Sequence, residues 1–368
     1  MELEFIMTDT LTERDEAQEG HLYCSLPEMP QRTLTTFDPE RESAILRSEQ
    51  KWLNGTTIRY YMFDSVRDKK KFPGWGGDQS QQKVVRDSFA EWKSLGIGLS
   101  FLEVKNIQDS DVRIGFMPRN GSWSYVGTYV RNRPKTERTM NFGWDLTTDY
   151  GKTTALHEIG HTLGMPHEHQ SPFAGIEWDT QKVYASLSGP PNNWSKDEID
   201  HNILRKWPSE KVTGSQWDPD SIMEYSFEAG LIKKPEKYQR EALNPPGKIS
   251  KVDQEEIKAW YPQLPSKLPA LEPWSSRKLT LSAGQPVNFL LTPDADRTYK
   301  IGLFGHADAE LALFEEIDGE YRMVRRDDDS DENRNAEIEA KLFKGRNYMV
   351  GMRQYFESGT GETALMYW

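Results

Sequence analysis

One stretch contains four of the seven histidines of this 368-residue chain: His157-Glu158-Ile159-Gly160-His161-Thr162-Leu163-Gly164-Met165-Pro166-His167-Glu168-His169. On an α-helix, His157 and His161 lie on one face, about 40° apart, so both imidazoles can reach one metal ion. Helices commonly end in a left-handed residue that glycine adopts cheaply, and Gly164 stands where such an end would return His167 to the metal. Three imidazoles with an open fourth position are typical of catalytic zinc.

Glu158 lies roughly a quarter turn from the two helical histidines, where a carboxylate can take a proton from water next to the metal without ligating it. The alternative interpretation is a chance match in an amphipathic helix. Leu156, Ile159 and Leu163 cluster on the opposite side, so the helix has an apolar face separate from its metal face. A chance match need not have this separation, and the pattern therefore favours the zinc site.

Further motifs outside this stretch resemble one known family. They are Lys51-Trp52-Leu53-Asn54-Gly55, Ser122-Trp123-Ser124-Tyr125-Val126-Gly127, Thr139-Met140-Asn141-Phe142-Gly143-Trp144 and Ser221-Ile222-Met223-Glu224-Tyr225. Over about residues 50–262, the chain resembles the astacin-like zinc metallopeptidases, a group of metzincins. The resemblance implies that the first three histidines bind zinc and that Glu158 is the catalytic base. It also implies that Met223 forms the Met-turn beneath the zinc and that the Tyr225 phenol contacts the zinc or the transition state.

Two departures from this family indicate a divergent microbial branch. Typical members carry disulfides, which the single Cys24 cannot form. The arginine and aspartates that follow the third histidine in the family are replaced by Gln170-Ser171-Pro172. Details of substrate choice are therefore not carried over, beyond the expectation of protein or peptide substrates.

The net charge of −12 makes a nucleic-acid or anionic-membrane partner unfavourable, because phosphate groups would be repelled. No apolar run approaches the eighteen residues that a membrane helix needs, so no transmembrane segment is expected. The first twenty residues are acidic and polar, unlike a signal peptide. We expect secretion by another route, with the cytoplasm as the alternative location. The sequence does not specify the oligomeric state.

The predicted fold class is α+β, a metzincin-type zinc peptidase domain followed by a small all-β sandwich. We predict a leader and inhibitory prosegment over residues 1–50, the peptidase domain over 51–262, a proline-rich linker over 263–275 and the sandwich over 276–368. Hydrophobic periodicity predicts a helix over 78–95 and strands near 57–62, 99–104 and 112–117. A further strand is predicted over 139–144, as the edge strand on which an extended peptide could add by main-chain hydrogen bonds.

The carboxy-terminal segment has short alternating stretches separated by glycine and aspartate, and its motifs resemble the pre-peptidase carboxy-terminal domain of microbial proteases. Asp308, Asp327, Asp328 and Asp329 could supply oxygen ligands to calcium. The alternative is a solvated acidic loop, since no EF-hand spacing is present.

Cys24 has two interpretations. A free cysteine is usually a small buried apolar side chain. A thiolate is also a strong fourth ligand for zinc with one open position, so Cys24 could close the site as a latch until the leader is removed. His169 is expected near the site without binding zinc, and His201 and His306 are expected elsewhere.

These observations predict a zinc-dependent endopeptidase that hydrolyses peptide bonds with Glu158 as general base. A non-catalytic adhesion or binding protein acting through the sandwich is the alternative. The intact Glu158 argues against it, because a scaffold could keep the metal ligands without the base.

Overall fold

Two groups of sheets follow one another along the chain, the first with helices and the second without. The computed structural model describes residues 22–27, 50–207, 217–282, 284–305, 308–328, 335–354 and 360–368. Their arrangement is the predicted α+β fold, a metzincin-like region followed by an all-β region. Within these ranges, no helix is both long and apolar enough to cross a membrane.

The first sheet has five strands in the order β2-β1-β3-β5-β4. They are β1 (Thr57–Met62), β2 (Ser100–Glu103), β3 (Val112–Gly115), β4 (Trp123–Ser124) and β5 (Met140–Asn141). The strand predicted over 139–144 is only two residues long and pairs on both sides, parallel to β3 and antiparallel to β4. The prediction that it forms the edge is wrong, because β4 occupies that position.

Several α-helices in the described part of the chain accompany this sheet. They are α1 (Gln79–Ser94), α2 (Asp149–Thr162), α3 (Thr180–Leu187), α4 (Lys196–Ile199) and α5 (Lys251–Trp260). Asp78 caps α1 through its carboxylate, and Val85, Phe89 and Trp92 are buried at helical spacing along it. The Trp92 indole donates to the Leu156 carbonyl at 3.1 Å, which fixes α1 against α2.

The apolar face predicted for α2 lies in the main core. Leu156, Ile159 and Leu163 are buried there together with Trp52, whose indole donates to the Thr162 carbonyl at 2.7 Å. A second apolar core is formed mainly by residues that follow α2 in the chain, and it includes Tyr225. A short antiparallel pair, β6 (Glu177–Trp178) with β7 (Ile232–Lys234), lies in this part of the chain.

The carboxy-terminal region contains two sheets, in the orders β13-β12-β15-β10-β8 and β14-β11-β16-β9. The strands are β8 (Ala270–Leu271), β9 (Arg277–Ser282), β10 (Pro286–Leu291), β11 (Arg297–Gly305), β12 (Ala309–Ile317), β13 (Glu320–Asp327), β14 (Glu337–Leu342), β15 (Tyr348–Gln354) and β16 (Thr360–Tyr367). Residues from both sheets share one apolar core. Strand β8 lies within the segment predicted as a linker and pairs parallel with β10.

The two regions share a buried interface at the start of the first one. Leu53 is buried in one cluster with Ala312, Phe314 and Met349 of the sandwich. The Arg353 guanidinium donates to the carbonyl of Trp52 at 3.3 Å and pairs with Glu310 at 3.0 Å. The sandwich therefore contacts the segment around Trp52, and the indole of Trp52 in turn contacts the end of α2, the helix that carries His157 and His161.

Candidate metal centre

The turn after α2 brings the third histidine back to the first two. Gly164 has φ of 99°, the left-handed conformation that glycine adopts without strain. The Met165 amide then donates to the Gly160 carbonyl at 3.1 Å, which satisfies the end of the helix. The chain reverses, and His167 lies beside His161, with 3.1 Å between their Nε2 atoms.

Four side chains direct donor atoms at one point. One ligand atom from each of Cys24, His157, His161 and His167 lies within 4.8 Å of the other three, and all four residues are buried. Within the described ranges, the Nε2 atom of His157 has no hydrogen-bond partner. Such a buried, unpartnered nitrogen is costly unless a ligand satisfies it. This donor set fits a zinc ion with three imidazole ligands and one further ligand.

The other nitrogen of each imidazole has an oxygen partner that fixes the ring. The Nδ1 atoms of His157 and His161 lie 2.8 Å and 2.7 Å from the carbonyl oxygens of Ile222 and Met165. Because a neutral imidazole that donates through Nδ1 presents a lone pair at Nε2, these contacts orient Nε2 towards the metal position.

Gln170 orients the third ring, a role that the sequence interpretation missed. Its Oε1 atom lies 3.2 Å from His167 Nδ1, while its amide nitrogen donates to the carbonyls of His201 and Arg205 at 2.7 Å and 3.0 Å. In the sequence, Gln170 was noted only because it replaces a residue that is typical of the family. Its position three residues after a metal-binding histidine is the signal that could have identified it.

The histidines are neutral in this environment. Burial lowers the pKa of His157 to about 4, and it holds the pKa values of His161 and His167 well below the usual range. Neutral imidazole is the form that binds metal, so the burial of these rings favours ligation.

Glu158 lies beside the histidines with its side chain completely buried. Burial raises its pKa to about 8, and the neighbouring Cys24 thiol lowers it by less. A cavity of about 310 Å³ opens beside this carboxyl group and is lined by His157, Tyr150, Trp144 and the leader residues Leu22 to Cys24, among others. A substrate or water molecule in this cavity could therefore reach Glu158.

Met223 packs against Gly160 of α2, between the two helical histidines, and its role as the Met-turn residue stays a prediction. It is buried, and a Cβ atom added at Gly160 would come within 2.4 Å of its sulfur, so the turn packs directly on α2. The buried carboxylate of Asp253 fixes this turn, accepting from the Ser221 hydroxyl at 2.6 Å and the Ile222 amide at 2.8 Å. Sequence reasoning did not identify Asp253, because its partners are about thirty residues away.

Tyr225 points towards the same centre. Its hydroxyl oxygen lies 2.6 Å from His167 Nε2 and 2.7 Å from the carbonyl oxygen of Cys24. Burial raises the pKa of this phenol well above its usual value, so it remains a hydrogen-bond donor at neutral pH.

His169 is buried behind the site and stacks on His167, with ring centroids 5.2 Å apart. Its Nε2 atom lies 2.9 Å from the Asn202 carbonyl, and its Nδ1 atom lies 3.3 Å from a Glu224 carboxylate oxygen. It is therefore near the site but outside the set of converging donors. His201 is also outside it and contacts the Leu26 carbonyl at 3.1 Å, whereas His306 lies outside the described residues.

Residues 22–27, which belong to the predicted leader, contact the centre. Cys24 Sγ is 3.7 Å from His161 Nε2, and burial, reinforced by the charge of Glu158, raises the pKa of the thiol well above its usual value. The Ser25 amide donates to the Ser122 carbonyl at 3.0 Å, next to edge strand β4. The leader therefore contacts the edge where an extended peptide substrate would be expected to add.

The predicted calcium ligands are not brought together in the part of the chain that the structure describes. The group around His157 is the one set of three or more candidate ligands found there. Asp327 instead accepts a hydrogen bond from the Glu337 amide at 2.9 Å. Asp308 and Asp328 belong to no such group, and Asp329 lies outside the described residues. The calcium site stays a prediction.

Comparison with known proteins agrees with this geometry. The family model for Astacin, a peptidase family, matches residues 44–261, more than half of the chain. The chain belongs to the astacin family. The solved structure of myroilysin is 32% identical, has a TM-score of 0.52, and is matched over 59% of this chain and 98% of its own. Membership of the astacin family implies a catalytic zinc, and it does not favour the adhesion alternative.

Curated relatives match over shorter ranges. Serralysin of Photorhabdus laumondii subsp. laumondii is 22% identical over 172 residues, 40% of this chain and 35% of its own length. Karilysin of Tannerella forsythia is 25% identical over 179 residues, 38% of this chain and 35% of its own length. The chain thus spans about a third of the length of these relatives. The pre-peptidase resemblance of the sandwich, the domain boundaries and the predicted location stay predictions.

Proposed function

We propose that this astacin-family protein is a zinc-dependent endopeptidase that cleaves internal peptide bonds. The observation that carries the proposal is the convergence of three buried, neutral imidazoles on one point beside the buried Glu158 carboxyl. His157, His161 and His167 would hold the ion. When bound, zinc supplies a Lewis acid that lowers the pKa of water and polarises the scissile carbonyl.

The residues of the chain perform the proton transfers. Glu158 takes a proton from the attacking water and delivers it to the leaving amine, because its carboxyl group faces the cavity beside the three histidines. The Tyr225 hydroxyl donates a hydrogen bond to the oxyanion that forms at the scissile carbonyl. It is close enough for this role, since it already contacts the carbonyl of Cys24 in the cleft.

The test combines metal analysis with cleavage profiling. The full chain should contain about one zinc per molecule, and chain from which the leader segment has been displaced should cut a mixed peptide library at internal bonds. Elemental analysis and mass spectrometry of the products provide the two measurements. Protein without zinc, or with zinc but no hydrolysis of any peptide, would contradict the proposal, and release of terminal residues alone would contradict its endopeptidase character.

We also infer that Cys24 is the fourth zinc ligand in the full chain and keeps it latent. The thiol sulfur belongs to the group of converging donors, on the side from which a substrate must enter. Because thiolate is a strong ligand for zinc, it would exclude water from the open position. A buried apolar side chain and a zinc latch would both be buried. Only the latch explains why the Cys24 sulfur points towards the three histidine nitrogens.

Replacing Cys24 by serine is expected to raise the peptidase activity of the full-length chain at least tenfold, because neutral hydroxyl is a much weaker zinc ligand than thiolate. Rates on an internally quenched peptide check this. A thiol-reactive mercurial should activate the wild type and leave the Cys24→Ser chain unchanged. Full activity of the wild-type chain, with no gain from either treatment, would be incompatible with a latch.

A further inference from the structure

The residue before the cysteine occupies a side-chain pocket of its own. Tyr23 is buried, and its ring lies among three aromatic rings, those of Trp194, Tyr225 and Phe227. The centroid distances are 6.1 Å, 5.1 Å and 5.8 Å, within the range of favourable aromatic pairs. We call these three residues, together with the carbonyl of Ser226, the aromatic box.

The box also recognises the phenol of Tyr23. The Tyr23 hydroxyl donates to the Ser226 carbonyl at 2.7 Å. The Tyr23 backbone amide donates to the Asn192 side-chain oxygen at 3.1 Å, so both the main chain and the side-chain tip have polar partners. A phenylalanine here would leave the buried end of the box without that donor.

Two walls of the box, Phe227 and Trp194, are fixed by contacts that do not involve the leader. The Phe227 amide and carbonyl both pair with Leu243 at 2.8 Å, and its ring packs on Trp178 with centroids 4.8 Å apart. The Trp194 amide donates to the Leu187 carbonyl at the end of α3, at 3.0 Å. Two of the three aromatic walls are therefore held independently of Tyr23, whereas the third, Tyr225, also donates to the Cys24 carbonyl.

The aromatic box lies next to the metal centre, and this position indicates what it binds. The Cys24 sulfur lies among the converging donor atoms, where the reacting group of a substrate would have to approach, and Tyr23 is its immediate neighbour in the chain. We propose that the aromatic box is a specificity pocket that takes a tyrosine side chain at one of the two substrate positions flanking the scissile bond. This inference rests on the proposed peptidase function and adds the substrate class to it.

Tyrosine should be preferred over both smaller and purely apolar side chains. Leucine or alanine would leave the aromatic walls partly solvated, and phenylalanine would leave the Ser226 carbonyl unpaired. A site that hydrogen-bonds a substrate hydroxyl discriminates strongly against an analogue without it. We expect a preference for tyrosine over phenylalanine of about tenfold in kcat/KM, from one lost hydrogen bond to the partly buried Ser226 carbonyl.

The experiment uses the full-length chain with the double change Tyr23→Ala and Cys24→Ser, which empties the box and removes the thiol. Matched peptides with tyrosine, phenylalanine, leucine or alanine on either side of one bond are compared by kcat/KM. Adding Trp194→Ala should reduce the tyrosine selectivity at least fivefold. Trp274→Ala, an exposed tryptophan of the sandwich, is the control and should leave the selectivity unchanged.

The outcomes separate this proposal from the peptidase function. Cleavage with no tyrosine preference at either position overturns the aromatic box and leaves the peptidase function intact. Failure to cleave any peptide in zinc-loaded protein from which the leader segment has been displaced overturns the function itself. If Trp194→Ala does not fold, as judged by circular dichroism and zinc content, Trp194→Leu replaces it. Selectivity that survives the loss of this aromatic wall in folded protein contradicts the proposal.

Discussion

Replacing Glu158 by glutamine is expected to lower peptidase activity by about 10²–10⁴-fold, the usual contribution of a general base. Zinc content should stay near one per chain, because the three histidines and the contacts that orient them are untouched. Glutamine preserves the shape of the side chain in its buried position but cannot accept a proton. The loss should therefore appear mainly in kcat.

The measurement is best made with Cys24→Ser present in every sample, so that the proposed latch does not mask the effect. Elemental analysis gives the zinc content, and initial rates on a fluorogenic peptide give the activity. Glu177→Gln is the control, since this exposed glutamate pairs with Lys234 away from the histidines. Cleavage by the Glu158→Gln chain at the rate of its parent would remove Glu158 from the mechanism.

The second large effect is expected at the interface between the two regions, where replacing Glu310 by glutamine should lower the free energy of unfolding by about 3–5 kcal/mol. Glu310 is 1% exposed and pairs with two arginines, the nearly buried Arg353 at 3.0 Å and the more exposed Arg326. Glutamine removes the negative charge that pairs with the nearly buried Arg353 guanidinium. Breaking a buried pair from one side carries this cost because the remaining charge stays desolvated.

Urea unfolding followed by tryptophan fluorescence measures this change. The control is Glu337→Gln, which breaks the half-exposed pair with Lys300 at 2.7 Å and should cost only about 0–1 kcal/mol. Equal stabilities of the two variants would show that the Glu310 pair contributes no more than a surface ion pair.

This interface is connected to the metal centre by a short chain of contacts. Arg353 holds the carbonyl of Trp52, and the indole of Trp52 donates to the carbonyl of Thr162, the last residue of α2. The hydroxyl of Tyr261 accepts from the Trp52 amide and donates to the Leu163 carbonyl. The sandwich therefore supports the end of the helix that carries His157 and His161, although the sequence suggested only a linker between the two regions.

Features that depend on near neighbours in the chain could be predicted from the sequence. The spacing of His157 and His161 defines one helical face, and Gly164 ends that helix, because both follow from backbone geometry over one or two turns. The strand at 57–62 and the helix near 78–95 were likewise predicted from local periodicity and lie where expected. These features involve residues close together in the chain, so the local amino-acid sequence is enough to predict them.

Contacts between residues that are far apart in the chain could not be predicted from the sequence and are seen only in the folded structure. Cys24 is 137 residues from His161 in the chain, and nothing in its local sequence places its sulfur 3.7 Å from that ring. The same holds for Asp253 beneath Met223, for β4 as the sheet edge and for Arg353 on the carbonyl of Trp52. Such contacts arise when separate elements pack to bury their apolar faces, and their partners are set by the whole fold rather than by the spacing along one element.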